Sequence, residues 1–385
     1  MNLEDIILNV PILNALENAE RAVQRRRIVH YIKDDPFELP NNKFIELYRL
    51  NKNAARYVID LVEPYLTPQT RISAIDATTK ILTALRFFAS GSYQMDIGKN
   101  VYMAVSQPTV SRCIHEVIDV ITRQDIMSQW IKFPCTLAEM NELRTEFYRK
   151  FEFPGTIGCI DCTHIAIFPP TGNNNPEHIY VNRKGYHSIN TQLICDWRLK
   201  IININARYPG STHDAYIWNN SNVKNAMVNL CRRYPNKNFH LLGDSGYSLR
   251  PWMMTPITDA AENSPEALYN RKQMTCRSLI EQCNGILKMR FRCLLKHRVL
   301  HYSPPTASKI IYTCAVLHNI CINENVPMPL ELNDDDEEFD LGMNINENVN
   351  ANEENNVPER NIRRINPDLA AGRIKQRQII RNYFS

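Results

Sequence analysis

A chain of 385 residues is longer than one hydrophobic core normally organises, and 44% hydrophobic with 22% charged residues is an ordinary globular composition; a fibrous or wholly disordered chain is excluded. The net charge of +4 hides segregation: residues 331–360 hold eleven acids against Arg360 alone, and residues 361–385 hold six bases against Asp368, which leaves the first 330 residues at +9. A basic body suits a polyanionic partner without demanding one.

The opening MNLEDIILNVPILNALENAER has early acids, a proline and no long apolar run, so it reads as neither a secretory signal nor a mitochondrial presequence. The longest apolar-rich run, IIYTCAVLHNIC, is too short to span a bilayer, and a soluble intracellular protein without membrane contact is expected. Eleven cysteines, an odd number spread from Cys113 to Cys321, fit reduced thiols. Cys159 and Cys162 have the spacing of half a zinc site, but no second pair accompanies them, so they read as buried strand thiols.

Residues 1–65 read as an N-terminal helical region with an Arg25-Arg26-Arg27 cluster; FIELYRLNKNAARYVIDLV repeats its apolar residues at helical spacing. Residues 66–135 form a second helical region of three patterns: SAIDATTKILTALRFFASG, SYQMDIGKNVYM and VSQPTVSRCIHEVIDVIT. In the third, Ser106 is placed to cap, Pro108 falls in the first turn, and Val110, Ile114, Val117, Ile118 and Ile121 form one stripe. Thr109, Ser111, Arg112 and His115 then face outward, and a short connection at Ala104-Val105 would make a helix-turn-helix with those four side chains at a DNA groove. Three packed helices with no nucleic-acid role fit the same residues.

Residues 150–322 change character. TIGCIDCTHIAIF reads as a strand, SINTQLICDWRLKIININARYPG as two strands about a turn at Asp196, DAYIWNNSNVKNAMVNLCRRY as helix, and FHLLGDSGYS as a short strand ending in a glycine turn. ALYNRKQMTCRSLIEQCNGILKMRFRCL is a long helix with a weak point at Gly285. This order predicts a mixed α/β domain with helices packed on a sheet. Residues 330–360 read as an acidic disordered linker and 361–385 as a basic, helix-prone terminal segment.

Asp161 stands in the middle of an apolar strand, and an ionised carboxylate removed from water must be paired, hydrogen-bonded or bound to metal. Asp244 falls where a short strand ends at a turn, Asp214 opens a helix, and Glu281 lies in the long helix with Arg277 one turn before it. Each has an ordinary structural explanation as a turn former, a cap or an ion pair. Acids at a first strand, a later strand end and a closing helix can also converge at one sheet edge, where oxygen ligands in a partly open site suit Mg²⁺ or Mn²⁺. Asp196, a rival ligand, is better explained by its hairpin turn, and His164, His213 and His318 are poor partners for such hard cations.

Four ordered blocks, GCIDCTHIAI, YPGSTHDAYIW, LLGDSGYSLRPWMMTP and RSLIEQCNGILKMRFRCL, resemble those of Harbinger-type (PIF/Harbinger) transposases and the domesticated nuclease family related to them. The resemblance covers residues 155–320. It implies an RNase H-like DDE catalytic domain that cleaves or transfers DNA phosphodiester bonds with divalent metal. By that likeness Asp161 is the first acid, Asp244 the second, and Glu281 the helix-borne glutamate 37 positions later, while Asp214 joins the metal site. The resemblance also implies a separate Myb-like DNA-binding partner; nuclear action, with the cytoplasm as a further location, is expected from a DNA substrate, and a homo-oligomer from the chemistry of cutting two strands. Arg250, Arg277 and Lys288 are candidates for phosphate contact. One departure is visible: Asn284 stands where such relatives tend to carry an aromatic residue. The competing reading is a domesticated, catalytically silent DNA- or protein-binding module that kept the fold.

Overall fold

The computed structural model describes residues 34–67, 75–171, 175–327 and 366–385. The arginine triplet at 25–27 and the acidic linker lie outside the described residues.

Helices come first, as the periodicity requires. They are α1 (Asn41–Tyr48), α2 (Lys52–Val62), α3 (Ala77–Ser90), α4 (Gln94–Gly98), α5 (Gln107–Ile121), α6 (Gln124–Trp130) and α7 (Leu137–Phe151). Asn51 and Asp76 cap α2 and α3 by accepting from Ala54 N and Thr79 N, and Thr136 with Glu139 forms a capping box on α7. All five expected stripe residues of α5 are buried. Two local expectations are corrected. The second pattern is helical only over Gln94–Gly98, and its connection to α5 runs through residues 99–106. Turns at residues 101–103 and the positive φ of Ala104 (50°) take the place of a tight link at Ala104-Val105. Ser106 occupies the cap position, but its hydroxyl bonds to Thr109 Oγ1 rather than to a backbone amide.

The α/β part follows: β1 (Thr156–Ala166), β2 (Ser188–Cys195), β3 (Ile201–Pro209), α8 (Asp214–Asn219), α9 (Asn222–Arg233), β4 (His240–Leu242), β5 (Met253–Met254), α10 (Pro265–Arg290), α11 (Pro304–Asn323) and α12 (Pro367–Tyr383). The sheet order is β3-β2-β1-β4-β5, with β1, β2 and β3 antiparallel and β4 and β5 parallel to β1. This is the mixed sheet of the RNase H-like fold. Side chains alternate across it. Leu193, Cys195, Ile201, Leu242 and Met254 face the large core with α10 and α11, whereas Ile194, Ile202, Leu241 and Met253 face a smaller core with α7, α8 and α9.

The large core also takes in Val58, Leu85, Ile114 and Ile118 from the first helices, so the helical region and the sheet share one hydrophobic interior. The helix expected over 214–234 breaks at Asn220-Ser221, where Ser221 starts α9 by accepting from Lys224 N. By contrast α10 runs through Gly285 without interruption, because Ile280, Cys283 and Leu287 hold that stretch in the core. The terminal helix α12 docks on the domain. Lys375 Nζ donates to the carbonyls of Phe239 (2.8 Å) and Pro251 (2.5 Å), and Ile379, Ile380 and Phe384 enter the large core. Among the described residues no helix is long and apolar enough to cross a membrane.

Candidate active site

The site begins where the parallel pair β1–β4 ends. Its last rung joins Cys159 to Leu242, after which β1 continues to Ala166 beside β2. Two residues past that rung on each chain stand Asp161 and Asp244. Sheet polarity thus brings both acids just past the carboxyl end of the parallel pairing, although β1 itself runs on, and such ends are where α/β sheets gather functional groups. A pocket of about 190 Å³ opens there, lined by Asp161, Asp244 and Asp214 together with His164, Arg183, Lys184 and Lys288.

Asp214 reaches the pocket because the chain turns sharply after β3. Asn190 on β2 donates from Nδ2 to Asp214 Oδ1 and to Thr212 O, both at 2.8 Å, and so fixes the turn and the acid together. Gly210 makes the turn possible: a Cβ there would lie 2.4 Å from both Ser188 Oγ and Tyr180 O.

The carboxylates strain one another electrically. Burial, and then the negative charge of Asp244, pushes Asp161 up to about 7, with Arg277 pulling in the other direction. Burial also raises Asp244, which Arg277 and a hydrogen bond from Gly246 N oppose. Asn284 Nδ2 donates to Asp161 Oδ2 at 3.3 Å. His164 is pushed down to about 4 by burial, so its ring, bonded through Nδ1 to Ser188 Oγ, is neutral at pH 7.

Glu281 stands apart from the other three acids. It is not among the side chains lining the pocket, and its carboxylate is ion-paired with Arg277. The spacing nevertheless puts Arg277, Glu281, Asn284 and Lys288 on one face of α10. Asn284 touches Asp161 from that face and Lys288 lines the pocket from it.

Among the described residues no three His, Cys, Asp or Glu side chains stand close enough to form a ready-made ion cage. The arrangement offers carboxylate oxygens around a shared opening, with the proton affinity of Asp161 and Asp244 raised by burial and that of Asp161 raised further by its neighbour. That donor set fits Mg²⁺ or Mn²⁺, which take few protein carboxylates and retain water.

The remaining expectations divide. Asp196 accepts from the backbone N–H groups of Arg198 and Lys200 and closes the β2–β3 hairpin, the structural role expected of it. Cys159 and Cys162, three apart on a strand, project to opposite faces, so they cannot share a metal. Arg250 is not at the pocket; its backbone packs under Gly372 of α12 and its guanidinium bonds Leu249 O. His164 and His213 line the pocket, whereas His318 is buried beneath the hairpin against Leu199 O. Of the four candidate groove residues on α5, Arg112 and His115 are exposed and Thr109 and Ser111 half-buried, and none of the four lines the acidic pocket. Sequence reasoning missed Arg183, Lys184 and Asn190; the basic pair before Gly185 in VNRKGYHS was the available signal.

Residues 160–319, which include all four acids, match the family model described as DDE superfamily endonuclease. A bovine protein named "Putative nuclease HARBI1" is 35% identical over 291 residues, 75% of this chain and 80% of its own length. The human protein of the same name is 34% identical over the same shares. An Arabidopsis thaliana relative, "Protein ALP1-like", is 22% identical and covers 73% of this chain and 70% of its own. The solved Mos1 transposase paired-end complex with left transposon end aligns over 69% of this chain and 82% of that chain at 15% identity, but its TM-score of 0.17 carries no argument. With about a third of the aligned residues identical over three quarters of its length, the chain belongs to the Harbinger transposase-derived nuclease family of the DDE superfamily.

Proposed function

We propose that this protein is a divalent-cation-dependent nuclease that cleaves DNA phosphodiester bonds at the pocket of Asp161, Asp214 and Asp244. The observation that carries this reading is the pair Asp161 and Asp244, each two residues past the last β1–β4 rung, with the proton affinity of Asp161 raised by burial and by its neighbour. Carboxylates that repel one another gain when a cation joins them.

In this reading Asp161, Asp214, Asp244 and Glu281 would hold Mg²⁺ or Mn²⁺, which when bound lowers the proton affinity of an attacking water or 3′-hydroxyl and neutralises the leaving oxygen. The chain's own side chains do the rest. Asn284 and Asn190 orient Asp161 and Asp214 by hydrogen bonds. Arg277 pairs with Glu281 on the face of α10 that also carries Asn284 and Lys288. Arg183, Lys184 and Lys288 give the rim a positive potential that draws a phosphate toward the acids.

DNA as substrate carries with it action in the nucleus. Cutting two strands calls for two copies, and a Myb-like partner would supply recognition of DNA ends. These are tested by imaging, crosslinking and co-purification.

The direct test is DNA cleavage with Mg²⁺ or Mn²⁺ by the wild type beside Asp161→Asn and Glu281→Gln. Loss in both variants is expected; cleavage as fast as wild type in either would remove that residue from the site. A wild type that binds DNA but cuts none with any divalent cation would favour the silent module.

A further inference from the structure

A second depression, of about 680 Å³, lies away from the acids, between the α3–α4 connection and the segment 297–302 that follows α10. The two walls are tied by a close backbone approach. Gly91 ends α3 at φ 61°, and a Cβ there would lie 2.9 Å from Cys293 Cα. Tyr302 forms part of the floor: Gln94 Nε2 donates to its hydroxyl at 2.8 Å, and its ring packs edge-on against Phe87 and His115. Above it the rings are open. Tyr93 is 73% exposed and Met95 55% exposed, and His301 stands between Phe168, stacked at 5.0 Å, and Tyr93 at 6.5 Å.

Arg298 brings a guanidinium to this depression beside His297 and His301, and among its described lining residues there is no Asp or Glu. It is also joined to the acidic pocket. The strand-like segment at Leu300 lies beside the free end of β1, with Leu300 N donating to Ala166 O and Phe168 N to Leu300 O. Lys296 sits over the ring of Tyr186, whose ring in turn meets His164 of the acidic pocket. On its other flank the depression meets α5 through Gln107 and His115. Exposed aromatic faces with the Arg298 guanidinium beside them fit a base and its phosphate. An apolar peptide would gain nothing from the guanidinium, and a volume in the range of small-ligand pockets is ample for a base.

We propose that this aromatic and basic depression is a base-stacking site that takes an unpaired base of the DNA strand leading into the acidic pocket, with Arg298 on its phosphate. The proposal rests on the nuclease reading for the identity of the strand. Its test requires neither metal nor cleavage, so the two fail separately.

The experiment is fluorescence anisotropy with a short labelled single-stranded DNA of mixed sequence, in EDTA, with full-length protein carrying Asp161→Asn. Tyr93→Ala combined with His301→Ala, both on exposed side chains, is expected to weaken binding by about tenfold. A probe of the same length with abasic residues should bind the parent as weakly as the intact probe binds that variant. Arg298→Ala should flatten the dependence of log affinity on log salt by about 0.7. Thermal unfolding confirms that each variant is folded. Unchanged affinity in the double variant, or equal binding of intact and abasic probes, overturns the proposal, as does tighter binding of a blunt duplex than of the single strand.

Discussion

The side-chain amide of Asn284 donates to Asp161 Oδ2 at 3.3 Å, joining helix α10 to the first acid of the site across 123 positions of sequence. A donor beside a carboxylate favours its charged form. Removing it with Asn284→Ala should therefore push Asp161 further up and cost stability mainly where Asp161 is ionised. A loss of about 1.5–3 kcal/mol is expected at pH 8, the size of a hydrogen bond to a charged group, and less at pH 5. Urea unfolding in EDTA at both pH values measures this; equal losses would show that Asn284 acts by packing alone.

Asp161 itself sets a pH dependence. Its folded-state value of about 7 lies above the ordinary aspartate value, so between about 4 and about 7 the native state binds more protons than the unfolded chain. Native stability therefore falls as pH rises through that window, by at most about 1.4 kcal/mol per pH unit. Asp161→Asn removes the titration. In EDTA the variant should gain on the wild type as pH rises from 5 to 8; parallel stability profiles would mean that Asp161 titrates normally.

Arg277 pairs with Glu281 and lowers the proton affinity of Asp161 and Asp244. It acts as the site's built-in counter-charge. Arg277→Ala should destabilise the metal-free protein by about 1–3 kcal/mol, below the ~3–5 kcal/mol of a fully buried broken pair. Because a cation can replace the lost charge, Mn²⁺ should raise the melting temperature of the variant more than that of the wild type. A smaller rise in the variant would mean that Arg277 serves chiefly to position Glu281.

At Gly210 the surrounding atoms decide the outcome. A methyl group would meet Ser188 Oγ and Tyr180 O at 2.4 Å, so the loop must move. Gly210→Ala should cost about 1–3 kcal/mol and displace Asp214 with its turn. Wild-type stability together with wild-type Mn²⁺ affinity in this variant would show that the turn adapts freely.

How much of this was legible in the sequence differs by element. The strands β1, β2 and β3 were, because their apolar runs and the Asp196 turn are local signals. Ser106, the serine read as a cap, takes that position without bonding a backbone amide, whereas Asn51, Asp76 and Ser221 cap helices that were not read from them. The two-residue strand β5 was not legible, since Met253 and Met254 pair only because β4 lies beside them. Helix α12 was foreseen as helix-prone, but its docking depends on Lys375 finding two carbonyls more than a hundred residues away. Within the site, Asp161 was read from an apolar strand, Asp244 from a strand end and Asp214 from a helix start, their joint role followed from the family resemblance, and all three line one pocket. Glu281 was read with them, and its pairing with Arg277 could be seen from the four-residue spacing alone. Asn284 was read as a departure that bears on helix packing; its contact with Asp161 depends on the crossing of α10 and β1, which no local pattern encodes. The same holds for the aromatic depression, whose Tyr93 and Tyr302 are separated by most of the folded chain.

Calorimetric titration of Mn²⁺ into the folded protein, beside Asp161→Asn and Asp244→Asn, most directly tests whether the pocket holds a divalent cation. Saturable binding in the wild type, abolished or weakened at least tenfold in each folded variant, is the expected result. Binding of equal strength in all three proteins would overturn the assignment of these acids as the ion's ligands, and with it the metal-dependent site.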